Sequence, residues 1–153
     1  MPSAKDILQT YLDQMGQAVM TGDFAAYADG IALPFTLTTA GGDSIVETQE
    51  ELATGLKEFR DMLTSQKTTD LLRTVLNAEF QSDSEILGHY ETNILSDGKR
   101  TFPVWPSGIS LVHQDDHWRA TWITNDMDAA RWPVNMPFSL TKKMTPPTTK
   151  GNT

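Results

Sequence analysis

His89, Tyr90 and Glu91 form the segment of this sequence with the clearest potential for acid–base chemistry. They fall in a run over 85–95 that reads as a β-strand. Alternate strand residues share a face, so His89 stands beside Glu91 and Asn93, while Gly88, Tyr90 and Thr92 take the opposite face. A carboxylate next to an imidazole can orient it for proton transfer, which makes the pair a candidate base and its positioner. The same polar alternation also occurs on solvated strand faces, where it makes an ion pair or a subunit contact instead. His113, near another strand end, is a further candidate base or rim group. The cluster His113-Gln114-Asp115-Asp116-His117 is the densest set of metal-capable side chains. It spans a turn between strands, so its histidines cannot occupy successive turns of one helix, and Asp-Asp is ordinary turn chemistry. No metal is expected.

Arg73 belongs to the alternate set Arg73, Asn77, Glu79 and Gln81. Facing inward, it would grip a substrate carboxylate through two parallel N–H bonds; facing outward, it would pair across strands with Glu79 or Glu91. Trp105 sits beside the Pro106 to Gly108 interruption and is a ligand-contact candidate, whereas Trp118 and Trp122 are expected to share a face with Ala120 in a packed layer. Gly41-Gly42 lacks the strand-to-helix setting and the lysine of a phosphate loop, and there is no Gly-x-Ser-x-Gly elbow. No cofactor is expected.

Ser3 with Asp6 resembles a capping box, and Ile7, Leu8, Tyr11, Leu12, Met15, Ala18 and Val19 follow at helical spacing. Thr21-Gly22 supplies a stop, Asp23 can cap a short helix through Tyr27, and Gly30 is expected to end it in the left-handed conformation. Residues 32–39 read as a strand, Gly41-Gly42-Asp43 as a hairpin turn, and 44–47 as the return. Thr48 and Glu51 make a second capping box for a helix over 49–65. Strand runs over 71–81, 85–95, 101–114 and 117–125 then follow at turn-length spacing, so successive strands are expected to pair antiparallel. Helices first and a meander after predict an α+β domain, with helices on one face of a strongly curved sheet.

At 153 residues the chain suits one core. Residues 1–132 are expected to form that domain, and residues 133–153 an extension whose last ten residues are disordered. Twelve basic against twenty acidic residues give a net charge of −8, which repels nucleic-acid backbones. No apolar run approaches the ~20 residues of a membrane helix, and the N-terminal residues lack the layout of a secretory signal, so the expected compartment is the cytoplasm. The absence of cysteine rules out disulfides and thiol catalysis.

Thr21-Gly22-Asp23-Phe24, Ile31-Ala32-Leu33-Pro34-Phe35-Thr36, Glu51-Leu52-Ala53-Thr54-Gly55-Leu56 and His117-Trp118-Arg119 fall in an order that resembles the SnoaL-like domains of the NTF2-like superfamily over residues 4–127. The resemblance implies a cone-shaped α+β barrel whose curved sheet and first helix enclose a mainly apolar pocket, and a homodimer. Members include ketosteroid isomerases, polyketide cyclases, dehydratases and binding proteins. The isomerase tyrosine, base and protonated aspartate would fall at Met15, Thr39 and Gly108 or Ile109, none of which can perform those roles. What the resemblance leaves is a pocket for a small hydrophobic or aromatic metabolite. Phe35, Met15 and Trp105 would form its wall, Tyr11 or Tyr90 would donate hydrogen bonds, and Thr39 and Arg73 would be further lining groups. Cofactor-free proton transfer, cyclisation or dehydration stands beside the alternative of a non-catalytic ligand-binding or dimeric interaction module.

Overall fold

The computed structural model describes residues 2–39 and 42–125. Ser3 opens helix α1 (Ala4–Thr21) by accepting the Asp6 amide on its hydroxyl at 3.0 Å, which satisfies a donor that the first helical turn cannot pair internally. Gly22 ends the helix at φ 76° and returns its amide to Ala18 and Val19. Asp23 caps α2 (Phe24–Asp29) through the Ala26 amide. Gly30 then closes α2 at φ −89°, which corrects the left-handed ending expected of it. The need for glycine here is spatial, because a Cβ would lie 2.3 Å from the Met15 sulfur of α1. Thr48 and Glu51 complete a reciprocal capping box at α3 (Gln49–Ser65).

The strands are β1 (Ile31–Thr39), β2 (Gly42–Val46), β3 (Asp70–Ser82), β4 (Glu85–Ser96), β5 (Lys99–Arg100), β6 (Trp105–Gln114) and β7 (His117–Asn125). They form one sheet in the order β2-β1-β7-β6-β4-β3, with β5 beside β4. Pairing is antiparallel except between β1 and β7. This is the expected α+β layout of N-terminal helices on a mostly antiparallel sheet. The strand expected over 101–114 begins only at Trp105. Pro103 has no amide for a ladder.

Two register shifts decide which side chains face the helices. One lies between Val75 and Asn77 on β3, so Arg73 pairs with the buried Thr92, while Asn77 pairs with the exposed His89. Arg73 therefore leaves the face of Asn77 and Glu79 on which simple alternation had put it. The other sets Leu111 opposite Ala120 but Ser110 opposite Trp122, with Thr121 extra. Trp122 thereby turns to the outer face, where its Nε1 donates to the Thr38 hydroxyl at 3.0 Å. The layer expected to hold Trp118, Ala120 and Trp122 together does not form.

Helix α1 crosses the inner face with Leu8 at its centre. Leu8, Ile86, Ile109, Leu111 and Ala120 are each 0% exposed, so this half of the domain is filled solidly. A second cluster, including Val19, Leu63, Ile94 and Trp105, lies toward α3. The expected extension over 133–153, its disordered end, and Gly41 of the hairpin lie outside the described residues. Among the described residues no helix is long and apolar enough to cross a membrane.

A Cβ at Gly88 would stand 2.5 Å from Leu8 Cδ2 and 3.0 Å from the Asn77 carbonyl oxygen. Gly88→Val is therefore expected to lower stability by about 1–3 kcal/mol through overpacking. A leftward shift of the urea midpoint at unchanged slope is the expected reading, and an unmoved midpoint would contradict this seating of α1.

Candidate functional site

Beneath α3 the packing opens into a cavity of about 140 Å³. Its floor is two neighbouring register rows of inward side chains. Arg73, Thr92 and Trp105 form one row across β3, β4 and β6, and Tyr90, Ser107 and Asn125 form the next across β4, β6 and β7. Strand pairing brings each row together from distant parts of the sequence. Phe35, Leu37 and Val46 wall one side, Leu52, Leu56 and Phe59 of α3 form the roof, and Tyr27 closes the α2 side. The walls are apolar and the polar groups gather on the floor, the usual division between affinity and orientation in a small-molecule site.

Arg73 is the charged group on that floor. Its Nε is buried without a hydrogen-bond partner among the described residues, and the ion pairs formed there, by Lys57 with Asp61, Asp29 with His117 and Arg119, and Arg119 with Asp115, do not include it. Burial pushes the Tyr27 hydroxyl above its ordinary value against the opposing pull of Arg73, and Tyr90 adds to the rise. Tyr27 therefore stays a neutral hydroxyl at pH 7. Glu51 also lines the cavity, but its Oε1 accepts the Glu47 and Thr48 amides at 2.8 and 3.3 Å as part of the α3 cap.

The backbone that carries Arg73 is fixed from α1. Gln9 Nε2 donates to the Arg73 carbonyl at 2.7 Å, and Gln9 Oε1 accepts the Val75 amide at 3.0 Å. The side-chain amide thus stands where another strand would pair with the edge of β3.

Of the residues singled out from sequence, Phe35, Arg73, Tyr90 and Trp105 line the cavity. His89 and Glu91 do share a face, but it is the outer one, because Tyr90 and Thr92 between them are buried inward. His89 Nδ1 lies 3.0 Å from Asn77 Oδ1. His113 is exposed and its ring packs on Trp118 at a centroid distance of 4.9 Å. None of these three reaches the cavity, which corrects the idea of a His–carboxylate pair within it. Tyr11 and Met15 are displaced too, since α1 covers the solid half of the domain. The Tyr11 hydroxyl donates to the Gly30 carbonyl at 2.7 Å. Both residues line a separate groove of about 660 Å³ beside Asp29 and Trp118. That groove is larger, but its Tyr11 hydroxyl is already satisfied. Thr39 ends β1, its hydroxyl 3.4 Å from the Gly42 carbonyl. Among the described residues no three metal-capable side chains cluster.

Tyr27, Thr92, Ser107, Asn125 and Gln9 were not singled out from sequence. Two of them were within reach of alternation, since Thr92 follows Tyr90 and Ser107 follows Trp105 at a spacing of two. No local signal marks the other three.

No family model matches the sequence, and no curated protein matches it. Solved structures do. An NTF2-like protein of unknown function from Shewanella oneidensis is similar at a TM-score of 0.62 and 16% identity, over 80% of this chain and 98% of that one. A domain of unknown function with a cystatin-like fold from Nostoc punctiforme gives 0.63 and 16%, over 82% and 77%. An NTF2-like protein of unknown function from Pseudomonas putida gives 0.59 and 10%, over 82% and 87%. At these identities the likeness is one of fold, and the fold of this chain is the NTF2-like α+β fold.

Gln9→Ala should leave the Val75 amide and the Arg73 carbonyl unpaired at the edge of β3. The expected cost is about 1–2 kcal/mol, together with faster hydrogen exchange at the Val75 amide. Unchanged exchange there would show that the side-chain amide does not hold this strand.

Proposed function

We propose that this protein is a pocket protein of the SnoaL-like type that binds a small, flat, largely apolar molecule beneath α3, and that it acts by binding rather than by acid–base catalysis. The observation that carries this reading is the make-up of the cavity. Its roof and walls are aliphatic and aromatic, its floor is hydroxyl, amide and guanidinium, and the one carboxylate among the described lining residues, Glu51, is engaged in a helix cap. No histidine is among its lining residues. A general base must reach the proton it removes, and the His89–Glu91 pair stands on the other side of the sheet. The volume of about 140 Å³ resembles that of apolar cavities of about 150 Å³ that take up benzene, so the occupant is of single-ring size.

Gly55 of α3 lines the cavity, which allows a test that spares the floor. Gly55→Leu fills the space from the roof and improves helix propensity by roughly 1 kcal/mol. Toluene should raise the melting temperature of the wild-type protein and leave that of Gly55→Leu unmoved, with the variant folded. Equal toluene shifts in both proteins would remove the cavity as the binding site.

We further propose a homodimer formed through the outer sheet face. Ile45, Thr36, Trp122, Ser110, Leu87 and Glu79 form one register row across the whole sheet. Ile45, Trp122 and Leu87 are 39%, 37% and 38% exposed. Large apolar groups thus alternate with polar ones, a surface that a second copy can complement across a two-fold axis. Sedimentation equilibrium should give twice the 17.0 kDa chain mass, and Trp122→Asp should give the single chain. A wild-type monomer at micromolar concentration would rule the dimer out.

A further inference from the structure

The geometry points to a ligand that is an acid: we propose that the cavity beneath α3 takes a single-ring or similarly short apolar carboxylate, its anionic end held by the Arg73 guanidinium. The inference rests on the cavity being a binding site and adds the chemical class of what it binds.

Arg73 occupies the inward row with Thr92 and Trp105. A guanidinium remains charged in proteins and presents its donors in a fixed planar fork. Burying such a group is unfavourable unless an anion or a full set of acceptors accompanies it. Here the Nε is buried with no partner among the described residues, and the ion pairs between described residues lie elsewhere. The chain has twenty acidic residues against twelve basic ones, yet among the described residues no carboxylate is paired with this cation. The unmatched charge borders a space large enough for one ring.

The backbone that carries the fork is also set before any ligand arrives. The carbonyl of Arg73 and the amide of Val75 are both held by Gln9, so the strand under the guanidinium does not have to be ordered on binding, and preorganisation of this kind favours affinity. A carboxylate matches the planar fork with two parallel bonds. The nearby Tyr27 hydroxyl, kept neutral by burial, suits a carboxylate oxygen as a further donor. A phosphate monoester fits less well. It would bring a second negative charge to a floor whose described residues include one cation, with Glu51 at the margin, whereas a neutral amide would leave the guanidinium unmatched.

The test is calorimetric titration of the full chain with benzoate, benzamide, phenyl phosphate and toluene. Benzoate should bind roughly ten-fold or more tighter than benzamide, and phenyl phosphate more weakly than benzoate. Arg73→Gln should lose that preference while keeping toluene binding, and Arg73→Lys, which retains the charge without the fork, should fall between. The comparison of ligands on the wild-type protein stands even where a variant fails to fold. Equal affinity for benzoate and benzamide, or a benzoate preference that survives Arg73→Gln, would overturn the carboxylate assignment while toluene binding upholds the cavity. Tighter binding of phenyl phosphate would overturn it in favour of a phosphate ligand. Failure of all four probes would overturn both the assignment and the cavity reading beneath it.

Discussion

Two neighbouring side chains of α1, Leu8 and Gln9, fix how the helix lies on the sheet, and the rest of the domain follows from that placement. Leu8 enters the space that the missing side chain of Gly88 leaves open on β4. Gln9 engages the backbone of β3 at Arg73 and Val75. The first contact is apolar and sets the depth of the helix; the second is directional and sets its rotation and its position along the strand. With α1 held in this way, one half of the inner face is packed to the exclusion of water. Among the described residues the other half is roofed by α3, with Tyr27 of α2 at its side, and stays hollow. The site is thus the part of the interior that α1 does not fill.

The polar floor of this hollow is unusual for a core and ordinary for a binding site. Thr92 and Ser107 are 1% and 3% exposed, and they sit in the same two register rows as Arg73 and Tyr90. A core selected only for stability would place aliphatic groups at such positions. Polar side chains inside a fold are tolerated where a ligand or solvent completes their bonding. Chemistry by proton transfer would need a basic group on the same floor, and the groups nearest that description, His89 and Glu91, point away from it.

Much of this was legible in the sequence. The caps at Ser3, Asp23 and Thr48 fixed where helices begin, because their side chains satisfy the first amides of each helix whatever the tertiary context. The turn-forming separators divided the meander, so β3, β4 and β7 fell close to their expected limits. Facing was harder to read. Alternation tells that His89 and Glu91 share a side but not which side, which is settled by Tyr90 and Thr92 having the interior to fill. One extra residue at each bulge reverses every later side chain on its strand, so Arg73 parted from Asn77 and Glu79, and Trp122 from Ala120. Tyr11 was placed in the pocket by its helical face alone, but the carbonyl of Gly30 takes its hydroxyl. Gln9 had no local signature, because its partners lie 64 and 66 positions away.

The amide of Gln9 also bears on how copies of this chain meet. β3 is a border strand of thirteen residues, and a long border with unpaired backbone groups is a template on which a stray strand from another molecule can grow. Gln9 occupies the middle of that border, so an incoming strand would have to evict it before its own ladder could run past Arg73 and Val75. The opposite border, β2, offers only five residues. With both borders guarded, one by a side-chain plug and one by brevity, open-ended stacking into fibres through backbone pairing is disfavoured.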